Sequence, residues 1–333
     1  MPYITFALPH LQAVKAWMQA RKGQAQLNVL NFELELKCRN RYFLLYPQFV
    51  MEDKGQLQYV NEFWEQARGF AGWLPYARPL RWPLWQDKLQ FKQALEEIGL
   101  RTPAYSSTGA GLAHDYVLKG LQGSFGKGIY GPFRVGGAMP SISTQTKAEV
   151  FAEQFVPGKS LKVWFWGHKA FYAQMHERPT VVGDGFSNVQ TLLSNKLSAI
   201  GQDISTYPEM ASVVQALAYQ EVNLQTVLKQ DQKVWLDFRY GRLFAPWAAT
   251  EAEDDVLPQL SAEVQDQFIV LGRFVAQTLA PIYQAPVLYA VDAQLDEQGQ
   301  VWYLEINSNP MLPPAGYALV LSTLFDSPPH AGE

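Results

Sequence analysis

The chain has 333 residues, 48% of them hydrophobic and 17% charged, which supplies a sizeable core and excludes a wholly disordered protein. Its formal net charge is −4 and no Lys/Arg-rich block stands out, so nucleic-acid binding has no electrostatic support. The single cysteine, Cys38, excludes an intrachain disulfide; with no apolar run of about 18 residues and no cationic n-region in MPYITFALPHLQAVKAW, a cytoplasmic protein without signal peptide or membrane span is expected.

The length points to two domains, or one with a large appendage. Residues 1–85 read as a small α/β domain. It has a helical pattern from Leu11 to Arg21, strand-like runs LNVLNFELEL and YFLLYPQFVM, and a hairpin turn at Asp53-Lys54-Gly55. ARPLRWPLW, residues 77–85, reads as an extended connector because each proline disfavours helix at the residue before it. A helix starts near Asp87, with Leu89, Phe91, Ala94, Leu95 and Ile98 on its apolar side and Gly99 as its stop. Strands are expected at 115–119, about 131–135 and 151–156. A strand pair follows in LKVWFWGHKAFYAQM, turning at Gly167-His168-Lys169. Residues 187–230 read as a mostly helical insertion. Strands return at VWLDFRY, RLFAPWA, VLYAVDAQLD and QVWYLEIN, with a helix from Ala262 to Tyr283 between the middle two. Residues 321–333, ending in SPPHAGE, read as a loose tail.

No two of the five histidines stand at metal-ligand spacing, and CxxC, HExxH and GxSxG are absent, so neither a zinc site nor a serine nucleophile is expected. Cys38 reads as a buried structural thiol. In VLYAVDAQLDEQGQVWYLEINSNP, Asp292 and Glu305 are joined by a hairpin through Asp296-Glu297-Gln298-Gly299, so antiparallel pairing can set them side by side. Glu305 and Asn307 project from one face of their strand. Hard oxygen donors in this grouping suit Mg²⁺, which is often held by one or two carboxylates with substrate phosphates; an exposed polar sheet face is the alternative. In VLKGLQGSFGKGI, Lys119 ends a strand before a loop whose backbone N–H groups can wrap phosphates, with a glycine-rich hairpin as the bland alternative. Lys88 opens the preceding helix, and two lysines flanking one loop could neutralise a triphosphate. The end of FAEQFV can offer backbone groups to a purine.

The order of these pieces resembles the ATP-grasp superfamily over about residues 86–316. DKLQFKQALEEIGLRTPAY is similar to its opening, VLKG with GSFGKG to its lysine and phosphate loop, EQFVPG to its hinge, and VDAQLDEQGQVWYLEINSNP to its metal-binding end. The resemblance implies an α+β fold in which two lobes clasp ATP: a small lobe over 86–157 and a large lobe over 158–320. It also implies roles. Lys88 and Lys119 would contact the ATP phosphates, and Gly123, Ser124, Phe125, Gly126 and Gly128 would close over them. Glu153, Gln154 and Val156 would meet adenine, and Asp292, Glu305 and Asn307 would hold two Mg²⁺ (or Mn²⁺) ions. One departure concerns the ribose: many members have an acid just after the hinge glycine, whereas Gly158 is followed by Lys159 and Ser160.

HERPTVVGDGFSNVQTLL is similar to a segment in the ligase lobes of cyanophycin synthetases and bifunctional glutathione synthetases. Asn188 replaces the usual Thr, and LDFRYG lacks the run those lobes carry; a plain tight turn at Gly183-Asp184-Gly185 is the alternative. The resemblance implies a ligase that joins a small-molecule or peptide carboxylate to an amine through an acyl phosphate, releasing ADP. Arg239 would stabilise the oxyanion, with a structural salt bridge as its alternative, and Lys162 and Arg178 would hold the incoming carboxylate. A kinase acting on a hydroxyl and a non-catalytic nucleotide-binding module remain as alternatives. The oligomeric state stays open between monomer and homodimer, and the acid and amine are not named by the sequence.

Overall fold

The structure, a computed structural model, describes residues 2–53, 56–61, 67, 69–78, 80, 88–107, 112–121, 128–136, 150–239 and 254–326. Helix α1 (Pro2–Ala20) starts well before the expected Leu11 and contains Pro9. Ala7, His10, Val14, Trp17 and Met18 form one buried stripe at helical spacing, and its packing carries the helix through the donor that Pro9 lacks. The run expected at 27–36 is divided into β1 (Gln24–Leu27) and β2 (Leu34–Cys38). Between them the Asn28 and Asn31 side chains accept from the amides of Leu30 and Glu33, giving the backbone a local turn in place of a ladder. β3 (Arg41–Asp53) pairs with β4 (Gln56–Val60) and β5 (Gly69–Leu74), completing an antiparallel sheet in the order β1-β2-β3-β4 with β5 on β3. Lys54 and Gly55 of the expected hairpin turn lie outside the described residues, as does most of the 77–85 connector.

Helix α2 (Lys88–Glu97) precedes a second sheet. Its strands β6 (Tyr105–Ser106), β7 (Tyr116–Gly120), β8 (Ile129–Phe133) and β9 (Val150–Gln154) run in the order β6-β9-β7-β8, where the sequence places its three strands. β10 (Lys159–Trp166) and β11 (Lys169–His176) form the expected hairpin. The expected insertion, 187–230, holds two helices, α3 (Val189–Ser198) and α4 (Met210–Tyr219), with turns over the rest of its length; together with β12 (Thr180–Val182) and β13 (Lys233–Trp235), which flank it, they close around a core of Val189, Leu193, Leu197, Val213, Leu217 and Val234. The expected strand at RLFAPWA lies outside the described residues.

Helix α5 (Ala262–Leu279) is capped by Ser261, whose side chain accepts from the Val264 amide. Its buried stripe of Val264, Phe268, Leu271, Val275 and Leu279 covers one face of a sheet ordered β11-β10-β14-β15, with β14 (Leu288–Leu295) and β15 (Val301–Asn307). On the opposite face, Trp164, Trp166, Tyr172, Leu288 and Ala290 share one apolar core with Trp17, Phe70 and Trp73 of the N-terminal segment and with α6 (Tyr317–Asp326). This corrects the expectation of a loose tail from 321: Leu321 and Phe325 are buried, so residues up to 326 belong to the core, and 327–333 lie outside the described residues. Among the described residues no helix is long and apolar enough to cross a membrane.

Candidate functional site

Asp296 builds the β14–β15 turn. Its carboxylate accepts from the amides of Gln298 (3.0 Å) and Gln300 (2.8 Å), and the strands pair from Leu295–Val301 to Ala293–Tyr303; a register shift between Ala293 and Asp292 then sets Asp292 opposite Glu305 in place of Leu304. The register continues across the sheet. Lys162 on β10 stands opposite Asp292, and Gln174 on β11 stands opposite Lys162. Cross-strand partners share a face, so Gln174, Lys162, Asp292 and Glu305 form one polar row beside the apolar Tyr172–Trp164–Ala290 row, which belongs to the core shared with the N-terminal segment. Lys162 Nζ donates to Asp292 Oδ1 at 2.8 Å, and the Asn307 amide nitrogen donates to Oδ2 at 2.8 Å. Lys88 Nζ, at the start of α2, reaches Glu305 Oε2 at 3.0 Å.

The donor set fits a hard divalent cation. Asp292 and Glu305 are side by side and partly exposed, and Asn307 has its nitrogen turned to Asp292, which leaves its amide oxygen as a further acceptor. Two acids and one amide are the whole set, since no group of three or more His, Cys, Asp or Glu comes together among the described residues.

A second charged group sits on the smaller sheet. Lys119 on β7 and Glu153 on β9 are diagonal neighbours in the ladder, and the Lys119 ammonium is ion-paired with Glu153 Oε1. Lys92 Nζ reaches Glu153 Oε2 at 2.7 Å and donates to Thr102 Oγ1 at 2.8 Å. Glu153 is 2% exposed and Lys92 0%. Burial pushes the Glu153 carboxyl up, but Lys119 and Lys92 together outweigh it and hold the group below the usual carboxylate range. Glu153, expected at an adenine ring, has its carboxylate ion-paired with two ammonium groups. Lys92 received no role from the sequence, although it lies four residues after Lys88 and hence on the same side of α2.

The phosphate-loop residues Gly123, Ser124, Phe125 and Gly126 lie outside the described residues. The neck of that loop is described: the Gly120 amide donates to the Gly128 carbonyl, and the Lys88 amide to the Leu121 carbonyl. At the hinge, Gln154 is tied to Ala104 through its backbone N–H (2.7 Å) and its side-chain oxygen (3.2 Å). The Val156 carbonyl accepts from Arg178 Nη2 at 3.4 Å. Gly158 has φ 149°, and a Cβ there would run into the Leu295 carbonyl oxygen, so only glycine lets β10 pass β14 at this point.

The other candidate cations are distributed differently. Arg178 lies over the rings of Phe155 (4.8 Å) and Trp235 (5.2 Å), with its Nε buried and without a hydrogen-bond partner among the described residues. Arg239, expected at an oxyanion, directs its guanidinium to buried Asp237 and to Glu209 at 2.6 Å, tying the end of β13 to the start of α4. Burial works against its charge, and those two acids more than offset it. This is the salt-bridge alternative; Asp237 and Glu209 stand 2 and 30 residues away, and only the nearer could be guessed locally. Gly183-Asp184-Gly185 forms a turn. The Asp184 carboxylate accepts from the amides of Phe186 and Ser187 and from the Ser187 hydroxyl. Cys38 is buried, with Sγ toward the Arg21 carbonyl.

Two charged groups thus stand on neighbouring elements: Lys88 of α2 and Lys162 of β10 meet the hairpin carboxylates Glu305 and Asp292, and Lys92 of α2 and Lys119 of β7 meet Glu153 of β9. No family model and no curated protein matches the chain. Among solved structures it is similar to a bifunctional glutathione synthetase from Pasteurella multocida (15% identity, TM-score 0.43, covering 94% of this chain and 44% of that one). It is also similar to an L-amino acid ligase from Bacillus licheniformis (11%, 0.32, 70% and 42%) and a D-alanine–D-alanine ligase from Bacillus anthracis (13%, 0.37, 73% and 67%). The chain spans under half the length of the first two. These solved structures are ATP-grasp ligases, the family whose motifs the sequence resembles.

Proposed function

We propose that the chain is an ATP-dependent ligase that joins a carboxylate to an amine. The observation that supports this best is the register: Asp292, Glu305 and Lys162 fall opposite one another on neighbouring strands, with Lys88 reaching Glu305 from α2. Lys88 and Lys119 bind the phosphates, where a charge-assisted contact is shorter and stronger than a neutral one. Asp292, Glu305 and Asn307 would hold Mg²⁺, which supplies charge neutralisation at the phosphates when bound. Lys162, beside this set, orients the substrate carboxylate. A carboxylate oxygen attacks the γ-phosphorus and ADP leaves. The amine then attacks the acyl carbon, phosphate leaves, and the amine proton passes to solvent. This chemistry rests on positioning and charge, so it needs no nucleophilic side chain.

An ADP-release screen over pairs of amino acids and dipeptides tests the reading. ADP formation that requires both a carboxylic acid and an amine is expected, with hydroxylamine trapping the acyl phosphate. ADP formed with a hydroxyl compound alone would make the protein a phosphotransferase, and stoichiometric AMP would refute phosphorylation at the γ-position. Lys119→Ala is expected to weaken Mg-ATP binding by about tenfold or more, measured by calorimetry, the loss of about one charge-assisted hydrogen bond. Unchanged affinity in both Lys88→Ala and Lys119→Ala would remove the phosphate assignment.

A further inference from the structure

We propose that Lys92 and Glu153 are positioning residues that set the direction of the Lys119 ammonium and the net charge of the cluster it belongs to, and that neither touches nucleotide. The inference rests on the phosphate role of Lys119 in the proposed function. It starts from an asymmetry. Lys88 and Lys92 leave the same side of α2 one turn apart, yet Lys88 goes to Glu305 on the larger sheet and Lys92 to Glu153 on the smaller. Lys92 is also held by the Thr102 hydroxyl, which in turn donates to the Tyr303 carbonyl of β15 at 3.2 Å. The ammonium is thus fixed from both sheets and is fully buried, out of reach of a ligand.

The energetics give this geometry a purpose. A buried carboxylate facing Lys119 alone would bind its ammonium as a closed pair and cancel the charge a triphosphate needs. With a second ammonium on the other oxygen, Glu153 is shared; burial lowers the Lys92 pKa and the Glu153 carboxylate at 2.7 Å works against that, and with Lys92 protonated the trio carries one net positive charge. Lys119 is the outer member at 7% exposure, so the surplus charge is presented on the side a phosphate approaches. Glu153 fixes where Lys119 points, and Lys92 keeps that fixation from neutralising it.

Counting charge gives an ordering that a merely structural role would not. Lys92→Met takes the trio to zero, Glu153→Gln takes it to plus two, and the double variant restores plus one. Calorimetric titration of the full-length protein with Mg-ATP, alongside Lys119→Ala, reads the result. Lys92→Met is expected to bind at least tenfold more weakly than wild type, Glu153→Gln no more weakly than wild type, and the double variant within threefold of it. Affinity of Lys92→Met equal to wild type, or a double variant weakened by the product of the two single losses, would overturn the proposal. If Lys92→Met alone fails to fold, the uncharged double variant and Lys92→Arg carry the test. Both are expected within threefold of wild type, and a tenfold loss in either overturns it. Absence of Mg-ATP binding by the wild-type protein would instead overturn the proposed function, so the two failures are distinct.

Discussion

Glu305→Ala is expected to lower ATP-dependent turnover by about 10²–10³-fold, the usual cost of removing one group aimed at developing charge, while leaving the fold intact. Glu305 sits at the edge of the polar row, and its carboxylate is partly exposed, so no sealed core group is stranded by its loss. Its partner Lys88 can turn toward solvent. What disappears is one of two adjacent carboxylates that together fit a hard cation, and the ion pair that holds Lys88, the residue proposed to meet the phosphates. The same substitution at Asp292 releases Lys162 and the Asn307 nitrogen together, because each of its oxygens serves one of them. Asp292→Ala should therefore be as inactive as Glu305→Ala and less stable. Circular dichroism and thermal unfolding separate the two effects. A folded Glu305→Ala protein with turnover within threefold of wild type would remove the carboxylates from the mechanism.

The β14–β15 hairpin was the most legible part of the site. Two apolar, aromatic runs mark the strands and Asp296 and Gly299 mark the turn, which was enough to bring the two acids near one another; the register shift at Asp292 that sets it opposite Glu305, where the turn alone would give Leu304, was not legible. Lys162 could be nominated as a cation but not placed, because its contact with Asp292 joins strands 130 residues apart in the chain. Lys92 was passed over for a related reason. A lysine on an amphipathic helix ordinarily reads as solvated, and only the arrival of Glu153 from β9 permits its complete burial. The opposite error befell α1 and α6. Pro9 argues against helix locally, and the C-terminal residues look like a tail. Neither signal reports that the two helices pack on one another and on the N-terminal sheet, where tertiary burial outweighs propensity.

That shared core carries an acid-sensitive contact with a defined pH window. His10 on α1 is buried, with Nδ1 3.1 Å from the Tyr317 hydroxyl of α6, and that hydroxyl oxygen accepts from the Trp73 amide of β5 at 2.8 Å. Because the oxygen already receives the Trp73 proton, its own hydrogen goes to Nδ1, which fits a neutral His10 protonated at Nε2. Burial pushes the His10 pKa down to about 3. The unfolded chain titrates near 6.5, so between about pH 3 and 6.5 it binds a proton that the native protein does not. Stability is then complete above pH 6.5 and falls as the pH drops, by up to roughly 1.4 kcal/mol per pH unit. Glu153 acts lower: its depressed carboxyl contributes stability that is present above the unfolded carboxyl value of about 4.3 and is lost as pH falls below it. The interval from pH 5 to 6.5 therefore isolates His10 from Glu153. Urea unfolding at pH 5.0, 5.75, 6.5 and 7.5 should show the loss in wild type and a much flatter profile in His10→Gln, whose amide oxygen can still accept from Tyr317. Tyr317→Phe should cost about 2–4 kcal/mol at pH 7.5, since both the Trp73 amide and Nδ1 lose a buried partner. Parallel slopes in wild type and His10→Gln would assign the acid sensitivity to other groups.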